Sequence, residues 1–228
     1  MPKLTNYIRR YTSIGATIDI LRRQKLALLD PQTWDDRNDR YFMGLYKEAK
    51  NVGGLYALCA STVSETYHHW RVFTDSADGA CIEIKREPLE AALSEIAGVR
   101  FAEVQYLRLD QVEELGEGDR ERLPFVKRVG FQPEDEYRII AETNEPQQAA
   151  IPVEFPVSLV NAIHLNPWLP KPIGETLVAV MRDLPGCSKL AISRSQLIDS
   201  GRWKRAGDRV VGKPTPRRIK LLRRKPKV

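Results

Sequence analysis

Twelve of the 36 Lys and Arg residues of this chain fall between Arg202 and Val228, where the only acid is Asp208. A segment at net +11 that also carries Pro214, Pro216 and Pro226 buries too little apolar surface to offset its ordering entropy and self-repulsion. The core must therefore come from the residues before it. We expect one domain over residues 1–206 and a flexible or only partly helical basic arm over residues 207–228. Residues 1–201 hold 24 basic and 29 acidic side chains, a net of −5, so the isoelectric point near 9.2 describes the arm and not the domain.

At 228 residues with 42% hydrophobic content the chain is long enough for one substantial core. No apolar run approaches the roughly 20 residues that cross a bilayer, and Lys3, Arg9 and Arg10 are not followed by the apolar stretch of a secretory signal. A cytoplasmic location is expected. Cys59, Cys81 and Cys187 are odd in number and widely spaced, which fits buried thiols better than disulfides or zinc.

Periodicity predicts a short first strand near Leu4–Tyr11, a helix over Thr17–Leu26, a strand at Leu26–Leu29, a polar loop at Trp34–Asp39 and a helix over Arg40–Lys50. Strands follow at Leu55–Thr62, Ala80–Lys85, Val99–Leu107, Ile151–Phe155, Leu159–Leu165 and Lys189–Ser193, with helices at Pro88–Ala97 and Gly174–Leu184. This order gives an α+β fold, a single domain with a mixed, mostly antiparallel sheet and flanking helices.

One further strand is unusual. In Phe131-Gln132-Pro133-Glu134-Asp135-Glu136-Tyr137-Arg138-Ile139-Ile140, strand alternation places Glu134, Glu136 and Arg138 on one face and Asp135, Tyr137 and Ile139 on the other. Two like charges two residues apart repel, so the arrangement either is a solvated edge balanced by Arg138 or serves a function.

Arg10-Tyr11, the Trp34–Asp39 loop, Ser61–Trp70, Gly79–Ile84, Glu134–Arg138 and Ile163–Pro167 occur in an order that resembles the bacterial DUF2971 family over roughly residues 4–200. That family tends to show a K-Y start, an F-N-D-P-F-D loop, a W-x-x-Y segment, a G-x-C-I-x-F strand and an E-x-E-x-R strand. This chain departs from the family pattern at Trp34, Asp35, Arg37 and Asn38 of the loop, and at Val72-Phe73. The family name supplies no activity. The succession of strand Arg, Ser/Thr strand end and late E-x-E is similar to the plan of R-S-E ADP-ribosyltransferases. That resemblance implies NAD as cofactor, with Arg10 at its phosphates, Ser61 and Thr62 at the ribose, an aromatic such as Trp70 beside the nicotinamide, Glu136 stabilising positive charge at the ribose and Glu134 activating the acceptor. It also implies a setting of conflict, such as phage defence or a toxin.

Two readings compete. In a non-catalytic nucleic-acid-binding or regulatory module, the acidic strand is structural and Arg217, Arg218, Lys220, Arg223, Arg224, Lys225 and Lys227 neutralise the phosphates of a nucleic acid or ribonucleoprotein. In a metal-dependent nuclease, Asp78 and Glu83 of the D…E-x-K order would hold Mg²⁺ and Lys85 would steady the attacking water, although five residues is a short separation for such a site. His68 and His69 are adjacent and make a poor chelate, and His164 in an apolar strand reads as a hydrogen-bonded core residue. There is no P-loop, no G-x-G-x-x-G and no Ser-His-Asp order.

Overall fold

A computed structural model of the chain describes residues 6–74 and 76–213. The fold is a single α+β domain with a mixed, mostly antiparallel sheet and flanking helices. The elements run β1 (Tyr7–Ser13), α1 (Ile14–Arg23), β2 (Lys25–Leu29), α2 (Arg37–Lys50), β3 (Gly54–Ser61), α3 (Tyr67–Phe73), β4 (Gly79–Lys85), α4 (Arg86–Ser94), β5 (Val99–Glu103) and β6 (Gln105–Leu107). They continue with α5 (Leu109–Glu113), β7 (Val126–Arg128), β8 (Glu136–Thr143), β9 (Ala150–Glu154), β10 (Val160–Leu165), α6 (Lys171–Arg182), β11 (Ala191–Arg194) and α7 (Gly201–Val210).

The large sheet branches at β3. One edge of β3 pairs with β8, which pairs on with β5. The other edge is shared: β2 meets it at Leu29–Ala57 and β1 meets it at Arg9–Ser61. From β1 the sheet continues through β4 and β10 to β11, and the β10–β11 pair is parallel. Strands β6 and β7 form a separate parallel pair. The end of β3 is thus the point where two arms of sheet meet, and residues from three strands converge there.

Strand alternation sorts the core. Tyr137, Ile139 and Ala141 of β8 join Tyr56, Leu58 and Ala60 of β3 in the main apolar cluster, which α1, α4 and α6 close with Ile20, Leu21, Leu89, Leu93 and Met181. On the other face Ile140, Leu55 and Ala57 pack against Met43 and Tyr46 of α2. A third cluster joins Tyr11, Cys81 and Trp70 of α3.

Several expected boundaries shift for local reasons. Helix α1 starts at Ile14 because the Ser13 hydroxyl accepts from Ala16 N at 3.1 Å, and it ends before Gln24, which is left-handed at φ 51°. Helix α2 starts at Arg37 and not Arg40, because Asp36 accepts from the amides of Asn38 and Asp39. Asp36 is thus the cap, and Asp39 lies in the first turn of the helix. The E-x-E run is not one strand. Val129–Glu134 is a 3-10 turn containing Pro133, which has no N–H to continue a ladder, and Asp135 is left-handed at φ 42°, so β8 begins at Glu136. The expected domain end at residue 206 falls inside α7, so the arm begins in a helix. Arg217, Arg218, Lys220, Arg223, Arg224, Lys225 and Lys227 lie outside the described residues.

Gly98, between α4 and β5, has φ +78°, and a Cβ there would lie 2.6 Å from the Glu142 carbonyl oxygen that belongs to the paired strand. The obstacle is backbone of a paired strand, which cannot swing aside as a flexible side chain would. Gly98→Ala is expected to cost about 1–3 kcal/mol, read as a fall in Tm of about 2–4 °C for each kcal/mol. Gly116→Ala, where a Cβ meets nothing within 4 Å, is the control and should leave Tm in place.

Candidate functional site

Register puts Arg9 of β1 beside Ser61 of β3, and Ser61 beside Glu136 of β8. At roughly 4.8 Å between neighbouring strands, the row spans about 10 Å. Arg10, the next residue, is half-buried and its Nη1 donates to the Cys59 carbonyl at 2.9 Å, two residues before Ser61 on the same strand. Arg9, Ser61 and Glu136 thus form one row at the branch point of the sheet, and the Arg10 guanidinium reaches the backbone of β3 beside it.

Glu136 is buried at 4% exposure, and its carboxylate is fully engaged. Oε1 accepts from Arg138 Nε at 2.7 Å and Oε2 from Lys127 Nζ at 3.3 Å. Its backbone N–H donates to the Tyr106 hydroxyl at 2.8 Å. Arg138 has no exposed surface. It forks onto Asp39 with bonds of 2.8 and 2.7 Å, donates to the Pro124 carbonyl at 2.8 Å and stacks on the Trp34 ring, whose centroid is 4.7 Å from the guanidinium carbon. Lys127 lies among three carboxylates, 2.7 Å from Glu134, 3.3 Å from Glu136 and 3.7 Å from Asp39. The acidic run is therefore a buried ionic cluster under α2, and a solvated edge is ruled out for Glu134, Glu136 and Arg138 alike. Although Glu134 is off the strand, the turn before β8 returns its carboxylate to the same ammonium.

The two glutamates are pushed in opposite directions. Burial raises the Glu136 carboxyl, but Arg138 and then Lys127 outweigh it and hold the group at about 2. For Glu134 burial also raises the pKa, and the pull of Lys127 does not overcome it. The cluster sets one permanently ionised carboxylate beside one that takes a proton more readily.

Ser61 Oγ lies 3.4 Å from His69 Nε2, which is 3.1 Å from the Glu134 carbonyl. A carbonyl only accepts, so the Nε2 position carries the proton, and burial lowers the His69 pKa and favours the neutral ring. Thr62 is buried. Its amide and hydroxyl both donate to the Asp135 carbonyl, at 2.8 and 3.2 Å, so it braces the left-handed turn and offers no free hydroxyl to a ribose. Trp70 is enclosed as well. At 1% exposure it meets Tyr11 edge-on and donates Nε1–H to Glu65 at 3.0 Å, which leaves no open face for a nicotinamide. His164 is half-buried, and its Nε2 has no hydrogen-bond partner and sits 3.9 Å from Glu83, so it is not the satisfied core residue expected.

The residues of the metal-nuclease reading are apart. Asp78 precedes β4 while Glu83 and Lys85 lie toward its other end, about 16 Å along the strand for the first of them. Glu83 pairs with Arg9 and accepts from Asn161 at 2.6 Å, and Lys85 donates to the Ser158 carbonyl at 2.9 Å.

Sequence reasoning missed Asp39, Lys127 and Tyr106. The available signal was the need to neutralise a buried Arg138 and two buried acids, which demands partners from elsewhere in the chain.

No family model matches the chain, and no curated protein matches it, so the DUF2971 resemblance rests on the short motifs alone. The chain is similar to solved structures of DarT from Thermus sp. 2.9. In complex with ADP-ribosylated ssDNA, that protein is 11% identical with a TM-score of 0.44, covering 84% of this chain and 94% of the other. In complex with NAD+ it gives 11% and 0.43 over 84% and 96%, and in complex with carba-NAD+ 12% and 0.42 over 86% and 98%.

Proposed function

We propose that the protein is an ADP-ribosyltransferase-like enzyme that uses NAD, and the observation that supports the reading is the row of Arg9, Ser61 and Glu136 on three neighbouring strands, with the Arg10 guanidinium on the β3 backbone beside it. A permanently ionised carboxylate is what stabilisation of an oxocarbenium-like ribose needs, and Glu136 is held ionised by its two cations. Bound NAD would supply the ADP-ribosyl group and nicotinamide as leaving group. Arg10 would meet its phosphates, Ser61 would fix the ribose through the hydroxyl that His69 orients, and Glu134 would take the proton from the acceptor. The residues fit this use: the Arg9 Nε beside the row is buried without a partner, and Arg10 keeps part of its surface open. Lys127 covers both glutamates, so its ammonium moves aside when a ribose reaches Glu136. A role in phage defence or as a toxin, with the basic arm engaging a polyanionic target, belongs to the same proposal.

A second reading has its own support. The ion pairs of Glu136 and Arg138 are almost wholly buried, as in a structural cluster, and this favours a non-catalytic nucleic-acid-binding or regulatory module. Calorimetric titration with NAD separates the two. On the transferase reading the chain binds NAD and Arg10→Ala weakens binding about tenfold or more, the worth of a charge-assisted hydrogen bond. On the module reading NAD gives no heat, while oligonucleotide affinity falls steeply with salt and is lost on deletion of residues 217–227.

A further inference from the structure

Helix α7 presents a surface that the proposed transfer chemistry does not use. Ser200 caps it by accepting from Trp203 N at 3.3 Å, and none of its residues is buried. Trp203, Ala206 and Val210 are spaced three and four apart and share one face, with Trp203 at 83% exposure and Val210 at 87%. Leu197, Ile198 and Val211 extend the exposed apolar surface at the two ends of the helix. The flanks are basic. Lys204 pairs with Asp199, whereas Arg202, Arg205 and Arg209 have no ion pair among the described residues. The groove beneath, about 770 Å³, is lined by Lys171, Arg194, Arg202 and Arg205 among others, and Trp203 is not one of its lining residues.

We propose that α7 is an interfacial helix that seats the protein on an anionic lipid surface. A helix with aromatic and aliphatic residues on one face and basic residues on its flanks lies in the plane of a bilayer, its apolar face among the acyl chains and its cations at the headgroups. Charge complementarity selects the anionic headgroup. The sequence after residue 213 adds seven further Lys and Arg, and polybasic segments next to an amphipathic helix strengthen attachment to acidic lipids. Nucleic acid matches the cations but not the face. Phosphates ask for charge and bases ask for aromatic stacking, and neither accounts for Val210, Val211 and Ile198 standing in solvent. No helix among the described residues is long and apolar enough to cross a membrane, so attachment through α7 is peripheral.

The test is sedimentation of the full chain with vesicles of phosphatidylcholine alone and of phosphatidylcholine with phosphatidylglycerol. Binding is expected only to the mixed vesicles. Of the four tryptophans Trp70 is buried, Trp34 and Trp168 are half-buried and Trp203 is open, so a blue shift of emission on binding that is absent in Trp203→Phe reports insertion of α7. Val210→Asp leaves every basic residue in place and should lower partitioning about tenfold or more. The proposal is overturned if the mixed vesicles do not bind the chain, or if Val210→Asp binds them as well as the parent, since charge alone would then suffice. It is equally overturned if a single-stranded oligonucleotide produces the Trp203 shift and competes the chain off the vesicles.

Discussion

Replacing Arg138 with methionine is expected to destabilise the fold by about 3–5 kcal/mol, the largest stability effect of any single change considered. The guanidinium is fully buried and serves Glu136, both oxygens of Asp39 and the Pro124 carbonyl. Methionine fills similar space but leaves two buried carboxylates with Lys127 alone, at 3.3 and 3.7 Å. Arg138→Lys should not restore stability, because a single ammonium does not reproduce the fork on Asp39. The loss has a signed pH dependence. In the parent, Glu136 titrates at about 2, below its ordinary 4.5, so it adds stability above pH 4.5 that is lost as pH falls toward 2. Without Arg138, burial remains and raises the carboxyl, and a raised acid stabilises the fold below its ordinary value and loses that contribution as pH rises. The gap between variant and parent should be widest at pH 7 and narrow at pH 4.5. Denaturant unfolding at both values measures it. A deficit under about 1 kcal/mol at pH 7 would show that the cluster is not the buried anchor described here.

Local pattern carried the sequence reading as far as single strands and their faces. Tyr137 and Ile139 pointing to the core, opposite Glu136 and Arg138, follows from alternation alone, and the apolar run expected as a strand at Leu55–Thr62 lies within a residue of β3. What failed was information that lives in tertiary neighbours. Asp39 comes within bonding distance of Arg138 from 99 positions away, and a polar residue in the first turn of a helix looks the same whether it caps that helix or reaches across to a sheet. The resemblance implies a cofactor contact for Trp70, yet Tyr11 of β1 and Cys81 of β4 enclose it. Asp135 shows the remaining limit. One left-handed residue after Pro133 separates Glu134 from the strand, and backbone sign at an aspartate is not written in composition. The basic segregation of the last residues was plain, whereas the apolar stripe of α7 within it is visible only once the helix is drawn and found unburied.

Glu136→Gln is expected to lower NAD turnover by about 10²–10³, the usual cost of removing one preorganised electrostatic partner of a transition state. The substitution keeps size and one acceptor but removes the negative charge that Arg138 and Lys127 maintain. It also leaves those two cations facing an amide, which should cost about 1–3 kcal/mol of stability, so turnover must be read well below the variant's Tm. Glu134→Gln provides the contrast. Glu134 keeps a raised pKa and is held by Lys127, so removing it should suppress transfer to an acceptor whose proton it would take, while hydrolysis, whose water can pass its proton to bulk solvent, should be spared. Nicotinamide release and acceptor labelling, measured together, distinguish the two variants. Equal turnover in parent and Glu136→Gln, with both folded, would assign the carboxylate a structural role and remove the chemical one. If instead Glu136→Gln abolishes both readouts while Glu134→Gln abolishes only labelling, the opposed pKa shifts have a division of labour as their consequence: one carboxylate holds positive charge at the ribose and its neighbour handles the proton.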